Sequence, residues 1–427
     1  MVIGRPALGS ILVGRAPWFM MAGRVLVRRV FRIIAGVMMS LIAKASIEKL
    51  WISVLSKLEY GRLEFTAPNG EQQVFVGRHD GPHAKMILND WNVITHVAAR
   101  GDIGFGEDYV AGGWDTDDIE ALAAFFMVNN QAFHAYARGN PLNRLMLMLH
   151  NRLIRRNSVN GSRKNIEAHY DVGNDFYALW LDKTMTYSSA IFGGADASLE
   201  DAQRNKYDRI LGKFTRPNAS VLEIGCGWGG FAERAAEFGH RVTGLTVSPS
   251  QFRFATDRLR GAADILLEDY RKARGLFDNI VSIEMFEAVG EEYWPRYFHA
   301  VAERLKRGGR AVVQTITIRD DLFADYRMRS DFIRHYVFPG GMLPSLKRFR
   351  EEAEGAGLRV ADVLSFGHDY TRTLREWSAR LAACETEVKA LGHDSAFLRN
   401  WQFYLGMCAA AFAVDRTAVV QVELRHA

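Results

Sequence analysis

The sequence predicts an α/β protein in which a smaller α+β lobe precedes a parallel sheet covered by helices on both faces. Three observations predict it. Apolar strand-like runs alternate with helical periodicity in the second half of the chain, a glycine-rich turn follows one of these runs, and a hairpin pattern lies near residue 60. With 427 residues and 48% hydrophobic composition, the chain is long enough for both parts.

The first 47 residues differ from the rest of the chain in charge. They contain six arginines, one lysine and no acid, and because the whole chain is +5, residues 48–427 are about −2. Most of the chain is therefore not basic, which argues against a nucleic-acid partner. The longest uncharged run, Ile33–Ala43, is shorter than the roughly 20 residues that span a membrane, and arginines interrupt every candidate signal-peptide core.

Two interpretations of this N-terminal arm stay open. Arginines mixed with apolar and aromatic residues are typical of a segment that lies on an anionic lipid surface. Alternatively, the arm is a disordered leader, or initiation occurs nearer Met38.

Residues 48–150 are predicted to form the small lobe. The alternation from Leu58 to Phe65, a turn at Pro68–Gly70 and a return strand over Gln73–Val76 indicate a hairpin. Helical periodicity follows over Asp117–Val128. A polar, turn-rich stretch at Asn151–Ser162 places the boundary with the larger domain, residues 151–427.

The larger domain shows strands and helices in alternation, which is the pattern of a parallel sheet. Helical spacing is seen at Gly230–Phe238 and Tyr293–Leu305. The predicted strands are Ser220–Ile224, Arg241–Leu245, Ile265–Leu267, Asn279–Ile283 and Ala311–Ile316.

The glycine-rich turn, residues 225–230, directly follows the first of these strands and precedes a helix. Glycines at this position let a ligand approach the backbone closely, as in nucleotide-like cofactor sites. A nicotinamide enzyme usually has a carboxylate about 20 residues later, but residues 244–251 contain none, and the chain has no phosphate-loop motif. Farther on, Asp269 beside Tyr270 could bind an adenine amino group and stack on its ring.

Several motifs in order resemble the cyclopropane-fatty-acyl-phospholipid synthases and the related mycolic acid methyltransferases. The similarity covers roughly residues 165–415, and the small lobe resembles the N-terminal domain of the phospholipid synthases. The matching motifs are residues 165–177, Met185–Ala190, the glycine-rich turn, Met285–Gly290, Phe338–Gly341 and Phe366–Tyr370.

The resemblance implies a class I methyltransferase (Rossmann-like) fold with S-adenosylmethionine in its cleft. It also implies a substrate, the double bond of an unsaturated acyl chain on a membrane phospholipid, and hence a cytoplasmic enzyme at the inner face of the membrane. The cofactor-binding residues carried over by position are Tyr187, Ser188, Glu223, Gly225, Cys226, Gly227, Gly229, Thr246, Gln251, Asp269 and Tyr270.

Methyl transfer to an alkene leaves a carbocation, which aromatic faces can stabilise. Candidates for this are Tyr187, Tyr336, Phe338 and Tyr370. A base must then remove a proton. Loss from the new methyl group closes a cyclopropane ring, and loss from a neighbouring chain carbon gives a methylene or methyl-branched product.

In the family that the chain resembles, a bound bicarbonate is thought to be this base. The resemblance places it among Glu287, Tyr370, Ile316, Ser189 and Gln314. The last two depart from the family's cysteine and histidine, although both can donate hydrogen bonds. Glu287 could itself act as the base if an apolar cavity raised its pKa.

The function predicted first is cyclopropane-type chemistry. One alternative is a methyltransferase that makes methylene or methyl-branched chains because of the two departures, and another is a non-catalytic lipid-binding protein on the same fold. The three separated cysteines predict no metal site, no disulfide framework and a reducing compartment. A homodimer and a reductase partner that finishes a methylene product are left open.

Overall fold

The computed structural model describes residues 47–133 and 172–427. The N-terminal arm to residue 46, the predicted domain boundary at 151–162 and the first part of the motif at 165–177 lie outside these residues. Residues 47–55 are helical. The chain divides by its internal contacts after Ser53, and the described residues from 54 onward form one compact unit.

The predicted hairpin of the small lobe is confirmed, and it belongs to a four-stranded sheet of order β2-β1-β3-β4. β1 is antiparallel to β2 and parallel to β3, a strand that was not predicted. The strands are β1 (Tyr60–Thr66), β2 (Gln72–Val76), β3 (His79–Leu88) and β4 (Trp114–Asp115). The helices of the lobe are α1 (Asn92–Arg100), α2 (Asp102–Val110) and α3 (Ile119–Val128).

The helix α3 is capped by Asp118, whose side chain accepts a hydrogen bond from the Ala121 N–H at 2.9 Å. Such a cap satisfies an N–H group that has no partner inside the helix. The helix predicted over Asp117–Val128 is therefore confirmed, with its beginning two residues later.

The larger domain contains a seven-stranded sheet of order β10-β11-β9-β8-β5-β6-β7. Its strands are β5 (Ser220–Ile224), β6 (Arg241–Thr246), β7 (Asp264–Leu267), β8 (Phe277–Ile283), β9 (Leu305–Ile318), β10 (Leu358–Ser365) and β11 (Thr417–His426). The five predicted strands, β5 to β9, are parallel to one another. β10 and β11 were not predicted, and β11 is antiparallel to both of its neighbours.

Helices connect these strands and cover the sheet, which confirms the predicted fold class. They are α4 (Gly173–Trp180), α5 (Leu199–Leu211), α6 (Gly230–Glu237), α7 (Pro249–Leu259), α8 (Trp294–Arg304), α9 (Asp320–Arg327), α10 (Leu346–Gly355), α11 (Gly367–Ala383), α12 (Glu385–Ala390) and α13 (Ser395–Ala413).

The small lobe packs on the helix α13 of the larger domain. Arg399 of α13 donates to the carbonyl oxygens of Tyr109 and Trp114 and to the Asp115 carboxylate, at 2.6, 3.1 and 2.8 Å. A second contact joins the Tyr336 hydroxyl to Glu107 of α2. These polar contacts fix the lobe against the domain that carries the site described below.

Candidate active site

The order of strands reverses between β5 and β8, which lie side by side in the sheet although β6 and β7 separate them in the chain. In open α/β sheets, ligands bind at such a switch point, outside the carboxyl ends of the strands. The glycine-rich turn follows β5, and two partly buried glutamates, Glu284 and Glu287, follow β8. The sequence-predicted residues therefore meet at the edge of the sheet where binding is expected.

Three glycines give the turn after β5 its shape. Gly225, Gly227 and Gly229 have φ angles of 83°, 52° and 86°, which side chains rarely adopt. Gly229 directly precedes α6, so the turn presents the N–H groups of a helix beginning. A Cβ built on Gly227 would meet nothing within 4 Å, which leaves room for a ligand at the backbone.

The rest of this turn is held by the neighbouring strand. The N–H groups of Gly225 and Cys226 donate to the Leu245 carbonyl oxygen at 3.0 and 2.8 Å. Cys226 is buried against Gly244, where a Cβ would lie 3.0 Å from the cysteine Cβ. Cys226 therefore packs the turn on β6, and its predicted contact with the cofactor stays a prediction.

Glu223 lies in β5 just before the turn and is buried. Burial raises the pKa of Glu223 to about 8, and its Oε2 has no hydrogen-bond partner. A buried polar atom without a partner is costly, and a ligand that donates a hydrogen bond would satisfy it. Glu223 therefore fits the predicted cofactor, whose amino and hydroxyl groups are donors.

Thr246 and Gln251 lie together at the end of β6. The Thr246 hydroxyl donates to the Gln251 side-chain oxygen at 3.0 Å. Asp269, at the next strand end, accepts two side-chain hydrogen bonds from Arg271, at 2.8 and 2.6 Å. The ring of Tyr270 packs edge-on against Tyr297. The adenine contacts assigned to Asp269 and Tyr270 stay predictions.

Tyr187 and Ser188 precede the turn in sequence, and Tyr187 is partly buried whereas Ser188 is buried. The Tyr187 hydroxyl donates to the Tyr404 hydroxyl at 2.9 Å. The Ser188 hydroxyl accepts from the ammonium group of Lys206 at 2.6 Å. Lys206 is fully buried, which lowers its pKa to about 7, while the charge of Glu284 raises it.

Glu284 is the centre of the hydrogen-bond network across the site. Its Oε1 accepts from the Ser189 N–H and from the Gln314 amide, both at 2.8 Å, and its Oε2 accepts from the Tyr370 hydroxyl at 2.7 Å. Burial raises the pKa of Glu284, and the Lys206 charge and these donors lower it. Three of the five residues that were expected around a bicarbonate therefore surround a protein carboxylate.

Glu287 lies one turn farther on and has different partners. Its Oε1 accepts from the Ile316 N–H at 2.5 Å and from the Thr315 hydroxyl at 3.0 Å, and its Oε2 has no hydrogen-bond partner. Burial, followed by the charge of Glu284, raises the pKa of Glu287 to about 8. At neutral pH Glu287 is thus mostly protonated.

These contacts do not fit a separate bicarbonate. The donors assigned to the anion, at Ser189, Gln314, Tyr370 and Ile316, already donate to carboxylates. The Ser189 hydroxyl donates elsewhere, to the Ala190 carbonyl oxygen at 3.1 Å. Ser189, Gln314 and Tyr370 contact Glu284, whereas Glu287 contacts Ile316, and the catalytic roles assigned to these residues stay predictions.

Tyr187, Tyr370 and Trp377 form an aromatic cluster beside Glu284, which is called the aromatic wall below. The rings of Tyr187 and Tyr370 both contact Trp377, with centroids 5.3 and 6.1 Å apart. Phe338 is half-exposed and contacts Tyr404 at 5.8 Å. Tyr336 bonds instead to the small lobe through Glu107. Of the four candidates for cation stabilisation, Tyr187 and Tyr370 lie in the wall.

Sequence reasoning missed Glu284 and Lys206. Glu284 falls between the predicted strand ending at Ile283 and the motif beginning at Met285. An acid at the carboxyl end of an apolar strand was the available signal. Lys206 gives none, because a lysine in a polar helix is usually exposed. Among residues 47–133 and 172–427, no group of three or more metal-ligating side chains is found.

Comparisons with known proteins relate most of the chain to one family. The mycolic acid cyclopropane synthetase family matches residues 157–422. Tuberculostearic acid methyltransferase UfaA1 of Mycobacterium tuberculosis is 35% identical over 77% of this chain and 80% of its own length. Cyclopropane-fatty-acyl-phospholipid synthase of Escherichia coli K12 is 35% identical over 79% of this chain and 87% of its own length.

Solved structures agree in fold. The mycolic acid cyclopropane synthase CmaA1, crystallised with SAH and CTAB, has a TM-score of 0.57 and 33% identity over 61% of this chain and 97% of that chain. These similarities confirm an S-adenosylmethionine-dependent enzyme with a methyltransferase fold. The chain belongs to the mycolic acid cyclopropane synthetase family.

Proposed function

We propose that the protein transfers a one-carbon unit from S-adenosylmethionine to the double bond of an unsaturated acyl chain on a membrane phospholipid. One observation carries this proposal. Two partly buried carboxyl groups, Glu284 and Glu287, lie beside the aromatic wall at the same sheet edge as the glycine-rich turn. That arrangement suits an apolar substrate whose reaction generates a cation and releases a proton.

The chemistry that bound S-adenosylmethionine supplies is an electrophilic methyl group. An alkene is a weak nucleophile, so the residues of the site must act mainly by holding the two reactants in line. The turn Gly225–Gly230 and Glu223 would hold the cofactor. The faces of Tyr187 and Tyr370 would stabilise the cation by about 1–2 kcal/mol each in a dry site.

The phospholipid substrate is supported by the name of the Escherichia coli relative, a cyclopropane-fatty-acyl-phospholipid synthase. No helix among the described residues is long and apolar enough to cross a membrane. Because the first 47 residues carry seven positive charges and no acid, we propose that this basic arm lies on the inner, cytoplasmic face of an anionic membrane.

Ring closure is the first product that we propose. The second candidate, a methylene or methyl-branched chain, is favoured by Ser189 and Gln314, where the family has cysteine and histidine. A reductase partner would be required only for the second product if a methylene group has to be reduced.

Lipids from a bacterial host that expresses the protein test the proposal. Mass spectrometry after derivatisation that separates ring-containing from branched chains should show acyl chains longer by one carbon. A Glu223→Gln variant serves as the control for cofactor binding and should lose the new lipids. Unchanged acyl chains in cells that contain the folded wild-type protein would contradict the proposal.

A further inference from the structure

We propose that the carboxylate of Glu284 takes the place that the family resemblance gives to a bicarbonate, and that it is the base that removes the proton. This inference rests on the proposed function. It starts from the three donors that converge on Glu284, from the Ser189 N–H, the Gln314 amide and the Tyr370 hydroxyl, at 2.7 to 2.8 Å. These are the groups that the resemblance assigns to the anion.

The network around Glu284 is oriented by a second layer of hydrogen bonds. Gln314 lies in β9 between Ile283 of β8 and Gln421 of β11. Its side-chain oxygen accepts from the Gln421 amide at 3.0 Å, which turns its own amide nitrogen toward Glu284. The neutral Gln314 therefore donates to a carboxylate that belongs to the protein itself, that of Glu284.

The backbone gives an independent argument. Glu284 has a φ angle of 48°, in the left-handed region where glycine is favoured and a side chain is strained. Its N–H donates to the Gln314 carbonyl oxygen at 2.8 Å, so the strained conformation is fixed by the sheet. Strain of this kind persists only where the surrounding structure fixes it, and it is frequent at functional sites.

The charges around Glu284 disfavour the binding of a further anion. Glu284 and Glu287 are both partly buried, and Lys206, which is fully buried, is the cation whose charge acts on Glu284. A bicarbonate at this position would add negative charge in a medium where the desolvation of each ion is expensive. It would also need donors that the two glutamates already use.

The chemical step balances with Glu284 as the base. The alkene's π electrons form a bond to the transferred methyl carbon, the carbon–sulfur bond breaks, and its electrons stay on sulfur. The cation left on the chain loses a proton to the Glu284 carboxylate. The electrons of the broken C–H bond close the ring when the proton leaves the new methyl group, or form a new double bond when it leaves a chain carbon.

The experiment compares lipid methylation by purified enzyme in buffer freed of carbon dioxide with methylation in buffer containing added bicarbonate. Wild type should be equally active in both. Glu284→Gln should lose roughly 100-fold or more, as expected for removal of a general base, while it binds S-adenosylmethionine as wild type does. Glu284→Gly should lose activity similarly and regain part of it when bicarbonate is added.

Arg260→Gly is the matched control for the glycine variant. Arg260 is exposed at the end of α7 and has a φ angle of 47°, so the substitution relieves the same backbone strain away from the site. It should keep wild-type activity. Bicarbonate-dependent wild-type activity, or an active Glu284→Gln enzyme, would overturn the inference. Wild-type enzyme that binds S-adenosylmethionine but methylates no lipid would overturn the proposed function and this inference together.

Discussion

Glu284 and Glu287 follow the same strand, but their hydrogen-bond partners differ. Burial raises the pKa of Glu284, while the Lys206 charge and three side-chain or backbone donors oppose that rise. Glu287 has one oxygen without a partner, and burial raises its pKa to about 8. Of the two carboxyl groups, the one that contacts Tyr370 therefore has the more complete set of donors.

The raised pKa of Glu287 predicts a pH dependence of stability. An unfolded glutamate has a pKa of about 4.5, so the stabilisation from the protonated folded form is fully present below that pH and is lost as the pH rises through about 8. Glu287→Gln cannot ionise and should flatten this decline. Urea unfolding across that range measures it, with the exposed Glu385→Gln as control. Parallel pH profiles of wild type and Glu287→Gln would contradict the prediction.

The position of Gly227 predicts that a substitution there weakens cofactor binding as well as folding stability. A Cβ there has open space but requires the left-handed conformation, so Gly227→Ala should lose about 1 kcal/mol of unfolding free energy. It should also weaken S-adenosylmethionine binding about 10-fold, because the ligand approaches the backbone there. Gly70→Ala in the lobe has the same open space and a positive φ, and it should show only the stability loss. Equal calorimetric affinities for both variants would refute this.

The sequence predicted the residues of the glycine-rich turn better than it predicted Glu284 and Lys206. The glycines are recognisable because positive φ angles require them. Glu284 could not be assigned by resemblance, since its role depends on a strand register that places Ile283 beside Gln314. Lys206 depends on burial of one position in a polar helix, which only tertiary packing determines.

Among the elements, the strands β5 to β9 were predictable and β10 and β11 were not. β5 has the same bounds in prediction and structure, because it is a short apolar run with a glycine directly after it. β9 extends well beyond its predicted core, since it pairs with β8 on one side and β11 on the other. β10 alternates weakly and has mainly half-buried residues, so its apolar signal is diluted.

The contacts between helix α13 and the small lobe predict a large contribution of Arg399 to the free energy of unfolding. Arg399 makes three hydrogen bonds to the lobe, and its guanidinium lies 3.9 Å from the centroid of the Tyr109 ring. Arg399→Gln should lower the free energy of unfolding by about 2 kcal/mol and speed hydrogen exchange around Trp114. Arg375 forms an exposed ion pair with Glu120 in the lobe, so Arg375→Gln should cost only about 0.5 kcal/mol. Equal effects of the two substitutions would contradict this distinction.

In the whole molecule, the excess of positive charge lies in the N-terminal arm, and the candidate site residues lie in the larger domain. The first 47 residues carry a charge of +7 and the remainder about −2. We predict that the full chain binds vesicles containing anionic phospholipid and that added salt weakens the binding. Replacing Arg24, Arg28, Arg29 and Arg32 by glutamine should reduce co-flotation with these vesicles. Unchanged flotation of that variant would rule out an electrostatic role for the arm.

The central claim is that the turn after β5 and the carboxylates after β8 serve one reaction on an acyl double bond. The most direct measurement incubates purified full-length protein with S-adenosylmethionine carrying a deuterated methyl group and with vesicles of an unsaturated phospholipid. Mass spectrometry of the released acyl chains should show the label on carbons of the former double bond, with one S-adenosylhomocysteine formed for each chain modified. Label in the headgroup, or unlabelled chains with the cofactor bound, would contradict the claim.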